Sequence, residues 1–171
     1  MKKLSEPEEP LERFFGIFES MKKMMGPVLL QLPAILKFDY DKTEHIYQLM
    51  KNKFKKYEFV MEVRHDSWLQ EESLKLMTRH DIGLVISQSG EGFPYSEVAT
   101  AKNIYLRFHG PRELYASSYS DAVLKDFAGK FRKWEKEGHI VWAFFNNDVN
   151  GYAIKDAKRL IGFVEKKKQR G

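Results

Sequence analysis

The chain has 171 residues, of which 43% are hydrophobic and 14% aromatic, a size and composition typical of one globular domain with a buried core. Its net charge of +5 permits an anionic partner but falls short of the concentrated basic stripe of a dedicated nucleic-acid binder. The absence of cysteine excludes disulfides, thiolate metal ligands and a thiol nucleophile.

The beginning of the chain, residues 1–9, is charged and contains proline, which is typical of a loose lead-in. From Pro10 to Met25, apolar residues recur at helical spacing, and Gly26-Pro27 supplies a stop signal. This spacing predicts a helix of about four turns over 10–25.

Strands and helices are predicted to alternate through the rest of the chain. Short apolar runs predict five strands at about 28–32, 58–64, 84–87, 104–108 and 140–145. Helical spacing predicts helices at about 41–55, 71–79, 120–137 and 152–167. Asp41 and Ser120 are expected to cap two of these helices. The basic tail at residues 168–171 is interpreted as a solvated terminus, with a binding tail as the alternative. Strands joined by helical crossovers pair in parallel, so the pattern predicts a single α/β domain.

Three of the predicted strands end abruptly in polar residues. The residues at these ends are Glu62, Arg64, Arg107, His109, Asn146 and Asn147. Because the carboxyl ends of parallel strands meet at one edge of the sheet, these side chains are expected to line one pocket. The alternation of side chains along a strand places Glu62 with Arg64, and Arg107 with His109, on the inner face.

The chemistry of these residues suits an anion and a proton transfer. An arginine can donate two parallel hydrogen bonds to a carboxylate or phosphate, and a histidine can exchange protons near neutral pH. We predict Glu62 or His109 as the acid or base and Arg64 and Arg107 as charge stabilisers. The alternative for Glu62 and Arg64 is a purely structural ion pair at the carboxyl-terminal end of the sheet.

Neighbouring polar and aromatic residues have two interpretations each. Asn146 and Asn147 either orient a ligand or form a turn with Asp148. Tyr115 and Tyr119, in the loop after the fourth strand, either stack on a sugar or base or pack as a lid. His65 has the opposite parity to Arg64, which favours a contact with the following helix.

A metal centre is a more specific alternative function for this pocket. Glu62, His109 and His65 are metal-ligand types, but a metal needs three or more convergent ligands. The remaining histidines, His45, His80 and His139, do not fall at the same strand ends. We therefore assign no metal ligands and leave the cofactor open, a divalent metal included.

Four sequence motifs together resemble the DUF72 family, the YecE-like proteins, which adopt a TIM-barrel fold. The motifs are GPVLLQLP at 26–33, EVRHDSW at 62–68, YLRFHG at 105–110 with Tyr115 and Tyr119, and FFNND at 144–148. They occur in the family's order and cover about 26–164. The resemblance points to the same strand-end residues and adds Gln31 as a ligand-binding residue, whereas Gln88 stands where many relatives are expected to carry an acidic residue.

The resemblance also implies that this chain corresponds to strands four to eight of an eight-stranded barrel, without the first three βα units. The sheet is then expected to have open apolar edges at 28–32 and 140–145, and open edges invite pairing with another chain. The partner would be a separately encoded N-terminal part of the barrel or a second copy of this chain.

Three functions remain open from the sequence. The first is a hydrolase-type or isomerase-type reaction on an anionic or sugar-containing ligand, although a barrel alone does not establish a reaction. The second is a non-catalytic binding module, with nucleic acid as one partner, and the third is an inactive truncated fragment. No apolar run approaches the roughly 20 residues that span a bilayer, so no membrane association and a cytoplasmic location are predicted.

Overall fold

The computed structural model of the protein describes residues 7–90 and 92–168. Within these residues, five strands form one parallel sheet in the order of the chain. The strands are β1 (Val28–Gln31), β2 (Phe59–Glu62), β3 (Ile82–Gln88), β4 (Asn103–Phe108) and β5 (Ile140–Phe145). The predicted parallel α/β class and all five predicted strands are therefore confirmed.

Helices connect the strands. They are α1 (Glu8–Phe18), α2 (Tyr40–Lys53), α3 (Glu71–Arg79), α4 (Asp121–Lys136) and α5 (Tyr152–Lys168), with short 3-10 helices at Glu19–Met24, Asp66–Leu69 and Val149–Gly151. Helix α1 starts two residues before the predicted position, with Glu8 and Glu9 in its first turn, where acidic side chains complement the helix dipole. Residues 1–6 of the predicted lead-in and 169–171 of the predicted basic tail lie outside the described residues.

Two helix predictions need correction. The first predicted helix is not continuous, because its α-helical part ends at Phe18 and a 3-10 helix completes it. Helix α2 is capped by Asp39 rather than Asp41: the Asp39 Oδ1 accepts a hydrogen bond from the Lys42 amide at 3.1 Å. Ser120 caps α4 as predicted, accepting from the Val123 amide at 3.3 Å.

The two faces of the sheet carry different side chains, as strand alternation predicts. The outward residues Phe59, Met61 and Val63 are buried in a core formed with α2 and α3. Burial of each such side chain contributes about 1.5–3 kcal/mol. The inner face is built from Val60, Val85 and Tyr105, with Leu29 and Trp142 packed against them.

The sheet is curled so that its first and last strands approach each other across the inner face. The Trp142 ring of β5 lies so close to Gly26, just before β1, that a Cβ at Gly26 would come within 2.9 Å of it. A curled parallel sheet with helices on its convex side is a partial (β/α) barrel. Gly26 thus has a packing role in addition to its place in the turn before β1.

The outer edges of β1 and β5 have no partner strand among the described residues. On β5, Ile140 and Phe144 remain 43% and 42% exposed. Beside this edge lies an apolar groove of about 300 Å³, lined by Phe131, Ala143, Phe145, Ala157, Leu160, Ile161, Val164 and Glu165. The expected open edges are thus present in the described part of the chain.

Of the helices described, none has the length and apolar character needed to cross a membrane.

Candidate functional site

The polar residues at the carboxyl ends of the strands form two rows across the inner face. In the ladder, Gln31 is paired with Glu62, and Ser87 is paired with Arg107. We call these four residues the lower row. The next inward-facing positions along β2, β3, β4 and β5 are occupied by Arg64, Ser89, His109 and Asn146. We call these four residues the upper row.

The ladder keeps three members of the upper row side by side. Gln88 is paired with Phe108, and the His109 amide donates to the Gln88 carbonyl at 2.8 Å, so Ser89 and His109 are neighbours. Asn146 follows Phe145, the ladder partner of Phe108, and its amide donates to the Phe108 carbonyl at 2.8 Å. Ser89, His109 and Asn146 therefore stand next to one another at the ends of β3, β4 and β5.

Glu62 is the centre of the hydrogen bonding in the lower row. Its carboxylate is fully buried, and its Oε1 accepts from the Ser87 hydroxyl at 2.8 Å and from Arg64 Nη2 at 3.0 Å. His109 Nε2 lies 3.0 Å from the same oxygen, and Arg107 Nη1 donates to Oε2. Glu62, Arg64, Arg107 and His109, which the sequence predicts to line one pocket, thus lie in one hydrogen-bonded cluster.

These partners fix the ionisation of Glu62. Burial alone would raise the pKa of this carboxyl, but hydrogen bonds from His109 and Ser87 and the charges of Arg64 and Arg107 outweigh it. Together they lower the pKa of Glu62 to about 2. Glu62 is thus a permanently ionised anchor at neutral pH, which makes it a poor proton donor there.

An ionised Glu62 also fixes the tautomer of His109. A carboxylate can only accept hydrogen bonds, so the proton of the neutral imidazole lies on Nε2, which faces Glu62. The other ring nitrogen, Nδ1, is buried and has no hydrogen-bond partner. His109 thus has one nitrogen held by a carboxylate and the other with a free lone pair, the arrangement of an oriented general base.

The cluster contains more positive than negative charge. The guanidinium groups of Arg64 and Arg107 both pair with Glu62, and no second carboxylate pairs with either in the part of the chain that the structure describes. Arg107 also donates to the Gln31 side chain at 3.0 Å. Arg64 Cζ lies 3.4 Å from the centre of the Phe93 ring, a cation–π contact. Two guanidinium groups against one carboxylate leave the cluster with one net positive charge.

The remaining predicted site residues are divided between the site and its supporting loop. Tyr115 is 44% exposed, and its ring lies edge-on to His109 with 5.7 Å between ring centroids. Tyr119 is buried, and its hydroxyl accepts from the Gly110 amide at 2.8 Å and donates to the Gln88 carbonyl at 3.0 Å. The Tyr119 hydroxyl therefore fastens the loop after β4 to the end of β3.

Asn146 and Asn147 have different surroundings. The Asn146 Oδ1 is buried without a partner, beside His109. The Asn147 Nδ2 donates to the Ser117 carbonyl at 3.0 Å and to Asp156 Oδ2 at 2.9 Å, which ties the loop after β4 to α5. His65 caps the 3-10 helix at Asp66–Leu69, since its Nδ1 accepts from the Ser67 amide at 3.1 Å. This is the helix contact that its parity predicts.

Four residues near the site were not found by sequence reasoning. Ser87 and Ser89 continue the two-residue alternation of β3, so that signal was present in the sequence. Phe93 and Asp156 had no such signal, because Phe93 contacts the site from a loop and Asp156 from the buried side of α5. Among residues 7–90 and 92–168, no three His, Asp or Glu side chains are grouped as they would be around a metal ion.

Fold and site together define a class: a (β/α)-barrel-type protein with a buried, positively charged cluster at the carboxyl ends of its strands. The family model described as "Protein of unknown function DUF72" matches residues 1–170. The chain belongs to the DUF72 family. No curated protein matches it.

Solved structures support the same assignment. A crystal structure of a DUF72 family protein from Thermotoga maritima is 27% identical, with a TM-score of 0.81 over 93% of this chain and 66% of that one. A crystal structure of a DUF72 family protein from Enterococcus faecalis is 19% identical, with a TM-score of 0.81 over 92% and 66% of the two chains. At that identity, the E. faecalis likeness concerns the fold alone. The chain thus spans about two-thirds of the length of the solved structures it matches.

Proposed function

We propose that this DUF72 chain binds a small anionic ligand at the carboxyl ends of its strands and that His109 exchanges a proton with that ligand. The observation that carries the proposal is the excess positive charge of the cluster: two partly buried guanidinium groups pair with one buried carboxylate. In a site largely shielded from water, an unbalanced cation strongly favours an anion. Arg64 and Arg107 supply the charge, and Glu62 holds both in place.

The proposed chemistry is of hydrolase type or isomerase type, and His109 rather than Glu62 moves the proton. Glu62 is already ionised and bonded at both oxygens, which supports a positioning role for it. His109 offers the unpartnered Nδ1 as the proton acceptor. Gln31, Tyr115 and Asn146 are the further residues proposed to contact the ligand.

Titration calorimetry with inorganic phosphate tests the anion site. We expect Arg64→Gln to weaken binding at least about ten-fold, since a hydrogen bond to a charged group contributes about 1.5–3 kcal/mol. Arg79→Gln is the matched control, because Arg79 is an exposed arginine at the end of α3. Absence of phosphate binding, or equal weakening by both variants, would contradict the proposal.

Chromogenic substrates test the proton transfer. If the chain hydrolyses 4-nitrophenyl phosphate or 4-nitrophenyl glycosides, His109→Gln should lower kcat at least about a hundred-fold, the usual contribution of a general base. The far-ultraviolet circular dichroism of the variant should stay unchanged. Turnover that survives the substitution would assign the proton transfer elsewhere.

A nucleic-acid-binding module is the alternative from a different class, and salt dependence separates it from a small-anion site. Binding along a phosphate backbone releases several counterions, so affinity for an oligonucleotide would fall steeply with salt. A site built on two arginines predicts a shallow dependence. A steep slope that is insensitive to Arg64→Gln would favour the nucleic-acid alternative.

We also propose that further βα units of the DUF72 barrel, on this or another polypeptide, pair with the open edges of β1 and β5. The proposal is supported by the exposed apolar residues of β5 and the apolar groove beside it. Light scattering should detect a complex when the chain is mixed with a polypeptide containing the first three βα units of the Thermotoga maritima relative. A chain that stays monomeric and does not bind this polypeptide would contradict the proposal. A dimer of the chain alone would identify a second copy as the partner.

A further inference from the structure

The two rows of polar residues differ in whether their hydrogen bonds are made. In the lower row, Glu62 accepts from Ser87 and Arg107, and Arg107 also donates to Gln31. In the upper row, each residue keeps at least one buried polar atom without a partner. These atoms are Arg64 Nε, Ser89 Oγ, His109 Nδ1 and Asn146 Oδ1.

Buried polar atoms without partners are rare in native proteins, because each costs about 1–3 kcal/mol. Of the seven buried side-chain atoms without a partner in residues 7–90 and 92–168, four lie in this row, at the ends of four neighbouring strands. This grouping favours a layer whose missing bonds are supplied by a ligand. Ser89 and His109 are 3% and 0% exposed, so bulk water does not replace those partners. The lower row is then the base of the site, where Arg107 adds its charge and the exposed Gln31 stays within reach of a ligand. The upper row is the layer whose free atoms bond to the ligand.

The chemical character of these free atoms restricts the ligand. Arg64 Nε can only donate, which suits an oxyanion. His109 Nδ1, in the tautomer fixed by Glu62, and Asn146 Oδ1 can only accept. An oxyanion without hydroxyl groups would place its oxygens against these two acceptors and leave them unsatisfied. Hydroxyl groups would donate to both.

We infer that the ligand is a small oxyanion whose neighbouring carbons carry hydroxyl groups, such as a sugar acid or a sugar phosphate. The inference rests on the proposed anion site and adds the hydroxyl groups to it. The anionic group pairs with Arg64 and Arg107. The hydroxyl groups donate to Asn146 Oδ1 and His109 Nδ1, with Ser89 as a further partner.

Two aromatic side chains near this layer, Phe93 and Tyr115, fit the same ligand class. Phe93 stands edge-on to the His109 ring at 5.3 Å between ring centroids. Tyr115 does the same at 5.7 Å. Aromatic side chains beside His109 can pack on the C–H groups of a sugar while its hydroxyls face the polar row. A free inorganic anion would gain nothing from them.

Five probes measured by titration calorimetry on the full chain test the inference: inorganic phosphate, acetate, glucose, gluconate and glucose 6-phosphate. We expect glucose 6-phosphate to bind at least about ten-fold more tightly than phosphate, because two hydrogen bonds at about 0.5–1.5 kcal/mol each are added. Gluconate should bind more tightly than acetate by a similar factor. If glucose 6-phosphate binds more tightly than gluconate, the ligand is of the sugar-phosphate type; the reverse order indicates a sugar acid. Glucose alone should bind far more weakly than either.

Asn146→Leu tests whether the upper row provides this preference. It should reduce the ratio of glucose 6-phosphate to phosphate affinity about five-fold, whereas Arg64→Gln should weaken both probes together. Asn52→Leu, on the exposed side of α2, is the matched control and should leave the ratio unchanged. Ser89→Ala gives a second reading if Asn146→Leu does not fold.

The outcomes separate this inference from the anion proposal. If phosphate binds and depends on Arg64 but the sugar anions bind no more tightly, the inference is overturned and the anion site stands. The same holds if the preference exists but survives both Asn146→Leu and Ser89→Ala. If none of the anions binds, the anion proposal and the inference that rests on it both fail.

Discussion

The polar residues at the two ends of the sheet differ in how completely they are hydrogen-bonded. At the amino-terminal end, the Asn103 side chain donates to Glu58 at 2.8 Å and accepts from the Trp142 indole at 2.9 Å. At the carboxyl-terminal end, Asn146 Oδ1 and His109 Nδ1 are buried without partners. The first end is built for stability, because every bond improves the fold. The second leaves bonding capacity unused, which supports the ligand site proposed there.

The largest effect that separates the two ends is expected from their glutamates. Glu62→Gln removes the only charge that balances Arg64 and Arg107 in the described cluster, and breaking a buried ion pair costs about 3–5 kcal/mol. Glu58 is exposed at the opposite end, so Glu58→Gln should cost less than about 1 kcal/mol. Urea unfolding of both variants at pH 7 measures the difference. Equal losses would mean that the cluster is not a coupled unit.

The pH dependence of stability should show a smaller effect of the same residue. The folded-state pKa of Glu62 is lowered from an ordinary value of 4.5 to about 2. The ionised carboxylate therefore contributes its full share of the free energy of unfolding above pH 5, and this share is lost as the pH falls toward 2. This lowering of the pKa corresponds to about 3 kcal/mol in the free energy of unfolding. Other carboxylates titrate in this window, so the test is the difference between wild type and Glu62→Gln. If the two curves run parallel from pH 5 to pH 2, Glu62 is not the group responsible.

The smallest effects are expected from the two asparagines. Asn103→Leu leaves the Trp142 N–H without its partner and should destabilise the fold by about 1–3 kcal/mol. Asn146→Leu removes a buried acceptor that has no partner, so the free energy of unfolding should stay unchanged or rise. Thermal unfolding of the two variants without ligand compares them directly. A larger loss for Asn146→Leu would reverse the roles given to the two ends.

Local sequence patterns predicted most of the elements. The strand Ile140–Phe145 and the helix Glu71–Arg79 occupy the predicted residues, because each has a clear period bounded by clear stop signals. The cap of α2 was misplaced because Asp39 and Asp41 both offer a capping carboxylate, and only the backbone geometry selects Asp39. The cytoplasmic location and a nucleic-acid partner stay predictions.

The sequence predicted part of the polar cluster at the strand ends, and that this cluster is a functional site stays a prediction. Glu62, Arg64, Arg107 and His109 meet because parallel strands all end at the same edge, which a sequence alone can indicate. Tyr119 and Asn147 were predicted with them, yet their side chains fasten the loop after β4. No local pattern distinguishes a polar side chain that faces the pocket from one that turns into its supporting loop.

The sequence by itself determined the alternation of strands and helices, the inner and outer faces of the strands, and the family. These depend on periods of two and 3.6 residues and on short motifs, which are local along the chain. Only the tertiary structure decided that Glu62 is the ionised anchor, that Ser87 bonds to it, and that the upper row keeps free bonding capacity. Those properties depend on burial and on contacts between residues as far apart as Glu62 and His109, which exist only when the strands lie side by side.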